Sequence, residues 1–318
     1  MTKCRASSEI SKIPLNQLLR LHAIQEYNLS DFLISIAYYC KNLKSISVGS
    51  VVTEEAISTF LKLRKCTLIQ FSLLENVYGN DWFTHLQLCE NLSHLEIACA
   101  DEINSDGILA ISNLTHLQIL KLNFVHGVTD STLISRDFAK LFHKLTKLRH
   151  LELNSFDLLN FYIIKVIAKN CPHIEILSFN WCLRIDKKCL RMLMKNCTNI
   201  VKLSLRGCFD FDIETINELL INMNKLQYLD LYRCKSIQDS ELEALIRKYC
   251  FDKITIVTPY GEEIKWDLTV FVIFPYHCGF SMKSMQTCFC NYRNSICNKN
   301  VIVWLFNYLI TCTNFIPL

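Results

Sequence analysis

The sequence predicts an α/β solenoid, a curved stack with parallel strands lining its concave face and helices on its convex face. Three observations carry that prediction. One phrase is written three times at a spacing of 26 residues, as Ile174-Glu-Ile-Leu177-Ser-Phe179-Asn-Trp-Cys182, Ile200-Val-Lys-Leu203-Ser-Leu205-Arg-Gly-Cys208 and Leu226-Gln-Tyr-Leu229-Asp-Leu231-Tyr-Arg-Cys234. Each copy is followed by an Asp and a helical run: Asp186 before Leu190 and Leu193, Asp212 before Ile216 and Leu219, Asp239 before Leu242 and Leu245. The same frame recurs in weaker form along most of the chain. A fixed period of this length, with one strand and one helix in each, marks a stack in which no single repeat can bury its apolar face alone.

The period is that of a leucine-rich repeat. Alternate apolar residues of the strand point into the stack, and the Asp stands where a helix N-cap must accept orphan backbone N–H groups. Cys-x-x-apolar entries precede several strands, as in Cys40 to Leu43, Cys89 to Leu92, Cys171 to Ile174 and Cys197 to Ile200.

Taken in order, residues 1–17 read as an N-terminal extension and residues 18–266 as about ten repeats. Leu18, Leu43, Leu68, Leu92 and Leu117 open the first five strands, and a helix around Phe32 to Cys40 completes the first repeat. The sixth strand opens at Leu148, 31 residues after Leu117, so about five extra residues must enter the helix or its loops between Ser131 and His143. Ile254-Thr-Ile256 gives a last strand, Pro259-Tyr-Gly261 a turn, and Glu262 to Trp266 a closing segment. Residues 267–318 leave the repeat frame as an apolar, Cys-rich tail. Three readings of it compete: a poorly ordered extension, an end cap, or a membrane anchor built on Val301 to Leu318. The run from Val301 to Ile310 is by itself shorter than the ~20 residues a spanning helix needs.

Composition narrows the function. With 51% apolar and 20% charged residues the chain is too hydrophobic to be disordered, and a formal charge of +4 over 318 residues forms no basic stripe with interleaved aromatics. That argues against nucleic-acid binding. The Met1-Thr-Lys-Cys-Arg start has no apolar signal core, so the 17 Cys read as reduced thiols of a cytoplasmic or nuclear monomer. Most of them occupy fixed repeat positions, where a small soft side chain packs well. No nucleophile elbow, phosphate-cradling loop, metal cluster or cofactor motif occurs, and the reading is of a non-enzyme.

Cys182, Cys208 and Cys234, with the Cys-x-x-apolar entries and the Asp caps, resemble the cysteine-containing repeats of the F-box/LRR proteins, the substrate-recognition subunits of SCF ubiquitin ligases. The resemblance covers roughly Leu18 to Trp266. It implies a substrate adaptor in ubiquitin-dependent protein degradation, holding a protein on its concave face. Ile13-Pro14-Leu15 through Leu21 resembles the opening of an F-box but runs straight into the first strand, so Skp1 and cullin would be partners only through an F-box outside this chain. The alternatives are a stand-alone scaffold, similar to an F-box-less mitotic-exit regulator, and a membrane-tethered repeat protein.

The third, fifth and seventh strand positions should line the concave face, because strand side chains alternate. Read down the repeats, these positions nominate Asn123, His150, Asn154, Asn180, Lys202, Arg206, Tyr228, Asp230 and Tyr232, with Trp181 at the adjoining edge. Arg, Tyr and Trp are the types that dominate protein interfaces. On this reading, Arg206→Glu with Tyr232→Ala should abolish partner capture and leave stability nearly unchanged.

Overall fold

The computed structural model describes residues 20–24, 29–75, 77, 79–100, 103–124, 131–249, 254–267 and 270–273. Among these residues twelve strands form one sheet whose spatial order is the order of the chain. They are β1 (Arg20–Ile24), β2 (Ser45–Gly49), β3 (Gln70–Leu73), β4 (His94–Ile97), β5 (Ile119–Leu122) and β6 (His150–Glu152). Then come β7 (Ile176–Ser178), β8 (Lys202–Ser204), β9 (Tyr228–Asp230), β10 (Thr255–Val257), β11 (Glu263–Asp267) and β12 (Val270–Ile273). The first ten run parallel, each in register with the next, as in Leu177↔Leu203 and Leu203↔Leu229.

One helix follows each of the first nine strands. The helices are α1 (Ser30–Tyr39), α2 (Glu54–Arg64), α3 (Phe83–Leu86), α4 (Ser105–Ser112), α5 (Ser131–Lys144), α6 (Phe161–Asn170), α7 (Lys187–Asn196), α8 (Ile213–Asn222) and α9 (Asp239–Tyr249). Helices pack ~8–10 Å apart and strands ~4.8 Å apart. A stack with strands on one face and helices on the other therefore bends toward its strands.

The core lies between these two layers. Leu120, Leu151, Leu177, Leu203 and Leu229, one from each successive strand, are at most 1% exposed. The repeat cysteines complete it. Cys182 Sγ donates to the Leu153 carbonyl at 2.9 Å, Cys208 Sγ to Phe179 at 3.1 Å and Cys234 Sγ to Leu205 at 3.1 Å. Each thiol thus ties its repeat to the one before. Burial pushes the Cys208 thiol up to about 12 and raises those of Cys182 and Cys234 as well, so all three stay protonated donors.

Helix starts follow the expected chemistry where the spacing allows it. Asp186 accepts from Cys189 N at 2.8 Å and Asp212 from Thr215 N at 3.0 Å, and Asn104 and Asn160 cap α4 and α6 in the same way. Asp239 does not. It is the first residue inside α9, and its carboxylate accepts instead from the Thr258 hydroxyl at 3.4 Å. The reason is one extra residue: Cys234 to Asp239 is five positions, whereas Cys208 to Asp212 is four. In the first repeat Leu29 occupies the N-cap position and makes no side-chain cap bond.

The extra residues before the sixth strand enter a helix, since α5 has 14 residues against 10 in α6. Beyond β10 the chain reverses. β11 pairs antiparallel with β10, and β12 antiparallel with β11. The sheet thus continues past Trp266 into the first apolar run of the tail, as far as Ile273 among the described residues. The run from Val301 to Ile310 lies outside the described residues, as do residues 1–19. Among the described residues no helix is long and apolar enough to cross a membrane.

Candidate functional site: the strand face of repeats six to nine

A shallow depression of about 270 Å³ opens on the strand face over β7, β8 and β9. Six of the ten nominated residues line it: Asn154, Asn180, Lys202, Arg206, Tyr228 and Asp230. Asn123, His150, Trp181 and Tyr232 lie outside it. The register explains the grouping, because Ile176, Lys202 and Tyr228 are successive partners, as are Ser178, Ser204 and Asp230.

The Asn column does structural work first. Asn154 Oδ1 accepts from the Ser178 hydroxyl at 2.7 Å and from Asn180 N at 3.0 Å. Asn180 Oδ1 repeats the pattern with the Ser204 hydroxyl at 2.6 Å and Arg206 N at 3.0 Å. Asn123 Oδ1 accepts from Asn154 N at 3.3 Å. A side-chain oxygen therefore continues the ladder where the strands end and their backbones diverge.

In the ninth repeat Asp230 takes over this role. It is 1% exposed, and its carboxylate accepts from Tyr232 N at 3.1 Å, the Tyr228 hydroxyl at 3.1 Å and Arg206 Nε at 2.5 Å. Burial opposes the charge on Arg206, but the hydrogen bond and charge of Asp230 outweigh it and raise the guanidinium pKa. Burial, and then the charge of Asp230, raise the Tyr228 hydroxyl. Arg206 is consequently a structural partner as well as a surface cation, which corrects the expectation that its reversal would leave stability untouched.

The eighth position of five successive repeats adopts a left-handed backbone: Phe124 at φ 55°, Ser155 at 52°, Trp181 at 60°, Gly207 at 67° and Arg233 at 60°. Large side chains are uncommon there. The conformation turns each N–H onto the seventh carbonyl of the next repeat, as Trp181 N does to Arg206 O at 2.6 Å and Gly207 N to Tyr232 O at 2.8 Å. It also carries the eighth side chains along the rim. Trp181 lies over Gly207, and the Arg233 guanidinium sits 5.8 Å from the Trp181 ring and 5.2 Å from that of Tyr232. Arg206 lies 5.8 Å from the same Tyr232 ring.

Arg233 and Gly207 escape a sequence reading that stops at the seventh position. The signal was present in the alternation of Trp181, Gly207 and Arg233 at one repeat position.

Further up the sheet the charges cancel. Lys121 Nζ stands 3.1 Å from Glu152 and 4.0 Å from Glu96, and His150 Nε2 is 2.5 Å from Glu152. Burial works against ionisation of Glu152, but the His150 hydrogen bond and Lys121 prevail and lower its pKa. Among the described residues no group of three or more His, Cys, Asp or Glu could hold a metal ion.

The chain shares its fold with a solved protein from the yeast Rad7 and Elc1 complex, at a TM-score of 0.58 and 19% identity over 76% of this chain and 63% of that one. The fold is a leucine-rich-repeat solenoid. This chain thus spans less than two thirds of its structural neighbour. A Bacteroides fragilis protein (TM-score 0.45, 10% identity, 83% of this chain and 70% of that one) also aligns. So does an internalin of Listeria monocytogenes (TM-score 0.32, 16% identity, 76% and 80%). No protein-family model matches the sequence, and no curated protein matches it.

Proposed function

We propose that this chain is a protein-recognition module that holds a partner on its strand face, and that it serves as the substrate-binding subunit of a ubiquitin ligase. The observation that carries the first part is the depression over β7 to β9, ringed by Arg206, Tyr228 and Lys202 and flanked by Trp181 and Tyr232. These are interface residue types held by a rigid sheet, so little conformational freedom is lost on binding. The ligase part is supported by the resemblance of the cysteine-containing repeats to F-box/LRR proteins. A chain of similar fold, Rad7, was crystallised in a complex with Elc1, and by analogy a second protein partner is proposed here.

The test is affinity capture of the chain from cells, followed by mass spectrometry, with Lys202→Glu as the comparison because Lys202 is exposed on the strand face. A set of proteins lost in the variant, and stabilised in abundance when the chain is depleted, supports the adaptor. A set lost in the variant but unchanged in abundance supports a scaffold without ligase function. Binding of purified chain to a Skp1-type linker separates the same two readings directly.

A further inference from the structure

We infer that the rim formed by Trp181, Arg233, Tyr232 and Arg206, continuous with Lys202 in the depression, is a binding site for an extended acidic segment of a protein. The inference rests on the protein-recognition reading above and names the chemistry of the partner.

Two aromatic rings on this rim are each seated on a glycine. A Cβ added to Gly207 would fall 2.2 Å from Trp181 Cε3, and one added to Gly261 would fall 3.2 Å from Tyr232 Cε2. Both glycines have left-handed backbones, φ 67° and 95°. The Trp181 ring therefore occupies the space that a side chain at 207 would take, and the Tyr232 ring packs close to Gly261. Trp181 is still 41% exposed.

The Arg233 guanidinium lies within cation–π reach of both rings, and Arg206 within reach of the Tyr232 ring. A guanidinium attracted by ring faces still carries its N–H donors, which can meet a planar acceptor such as a carboxylate. Arg206 uses Nε on Asp230, while its side chain remains 44% exposed. Among the described residues neither Arg233 nor Lys202 has an ion-pair partner. Three cations thus stand beside the buried, hydrogen-bonded carboxylate of Asp230, and the other carboxylate lining the depression, Glu152, is already held by Lys121 and His150. By contrast, Lys121 is flanked by Glu96 and Glu152. Around the depression the cations Lys202, Arg206 and Arg233 all belong to the eighth and ninth repeats, and charge complementarity there selects an acidic occupant. Its carboxylates meet Lys202, Arg206 and Arg233, and an apolar side chain between them covers Trp181.

The experiment is fluorescence anisotropy of the full chain with a labelled 12-residue peptide alternating Glu or Asp with Leu. Two peers serve as comparisons: the same peptide with Gln and Asn in place of the acids, and a single-stranded oligonucleotide of equal charge. The expected result is saturable binding of the acidic peptide, at least about tenfold weaker for the neutral one, and weakened about tenfold or more by Arg233→Glu. Arg233→Asn, which tolerates the left-handed backbone, and Lys202→Glu, on a different repeat, should weaken it in the same direction. Equal affinity for the neutral peptide, tighter binding of the oligonucleotide, or no effect from all three variants overturns the inference. If the acidic peptide fails while Lys202→Glu still removes captured proteins from cells, the acidic-segment inference falls and protein recognition by this face stands.

Discussion

The Trp181 indole covers the backbone of Gly207 so closely that no side chain fits between them. One repeat thus dictates the residue type of the next. The relationship joins a local requirement, a left-handed backbone, to a tertiary one, room for an indole.

Gly207→Ala meets both penalties and should destabilise the chain by about 1–3 kcal/mol, with a change in tryptophan emission as the ring is displaced. In Gly207→Ala with Trp181→Ala only the backbone penalty remains. The double variant should therefore lose less than the two single losses added together. Urea denaturation of the four proteins in the cycle measures this, and strict additivity would mean the ring does not rest on residue 207.

Asn180→Asp keeps an oxygen where Ser204 and Arg206 N donate, and its effect on stability should be small. Asn180→Ala removes the acceptor of both bonds and should cost about 1–3 kcal/mol. The comparison of denaturation midpoints distinguishes a ladder residue from one serving only a partner.

Arg206→Leu leaves the buried Asp230 carboxylate without its cation. The loss should be about 1–3 kcal/mol, discounted from that of a wholly buried pair because the Arg206 side chain is 44% exposed. Asp230→Asn alongside it should recover part of that loss. Thermal unfolding of the single and double variants checks the coupling. A binding defect in an Arg206 variant therefore needs a stability measurement beside it, whereas Arg233 and Lys202 report on binding more cleanly.

The buried thiols set an alkaline limit. Cys208 rises from 9.0 to about 12 on folding, so the folded state holds this proton more tightly than the unfolded chain. Its stabilisation is complete below pH 9.0 and is lost as the pH climbs toward about 12. Unfolding free energy should fall across that window, and Cys208→Ala should flatten the fall. In the native protein at neutral pH a thiol reagent should modify exposed Cys66 while leaving Cys182, Cys208 and Cys234 unreacted.

Much of the fold was legible because the repeat expresses burial and register in one pattern. Leu203 and Leu229 recur at one position, and a parallel stack with that pattern has only one way to bury them. The Asp caps were legible at Asp186 and Asp212 for a related reason, since a short polar side chain before an apolar helix accepts its orphan N–H groups. Asp239 misled because a single extra residue moves it inside the helix, and local type cannot reveal such an offset. Alternation also nominates the strand-face positions, and six of the ten residues it nominates line one depression, although Asp230 among them is buried. What alternation does not reveal is that the oxygens of Asn154 and Asn180 are spent on the neighbouring strand. Nor does it find Arg233, whose position depends on a left-handed turn and on two rings, that of Trp181 two repeats back and that of its own neighbour Tyr232.

The bonds linking one repeat to its neighbour have a mechanical meaning. Thiol, Asn oxygen and left-handed N–H all reach only to an adjacent repeat, so a pull on the two ends loads these links in series. The chain should then yield one repeat at a time, a release of 26 residues, as in the three most regular repeats, lengthening it by about 90 Å at ~3.5 Å per residue. Under tension the module would behave as a ratcheted extension with near-equal steps, giving way gradually where a single-core domain would snap open at once.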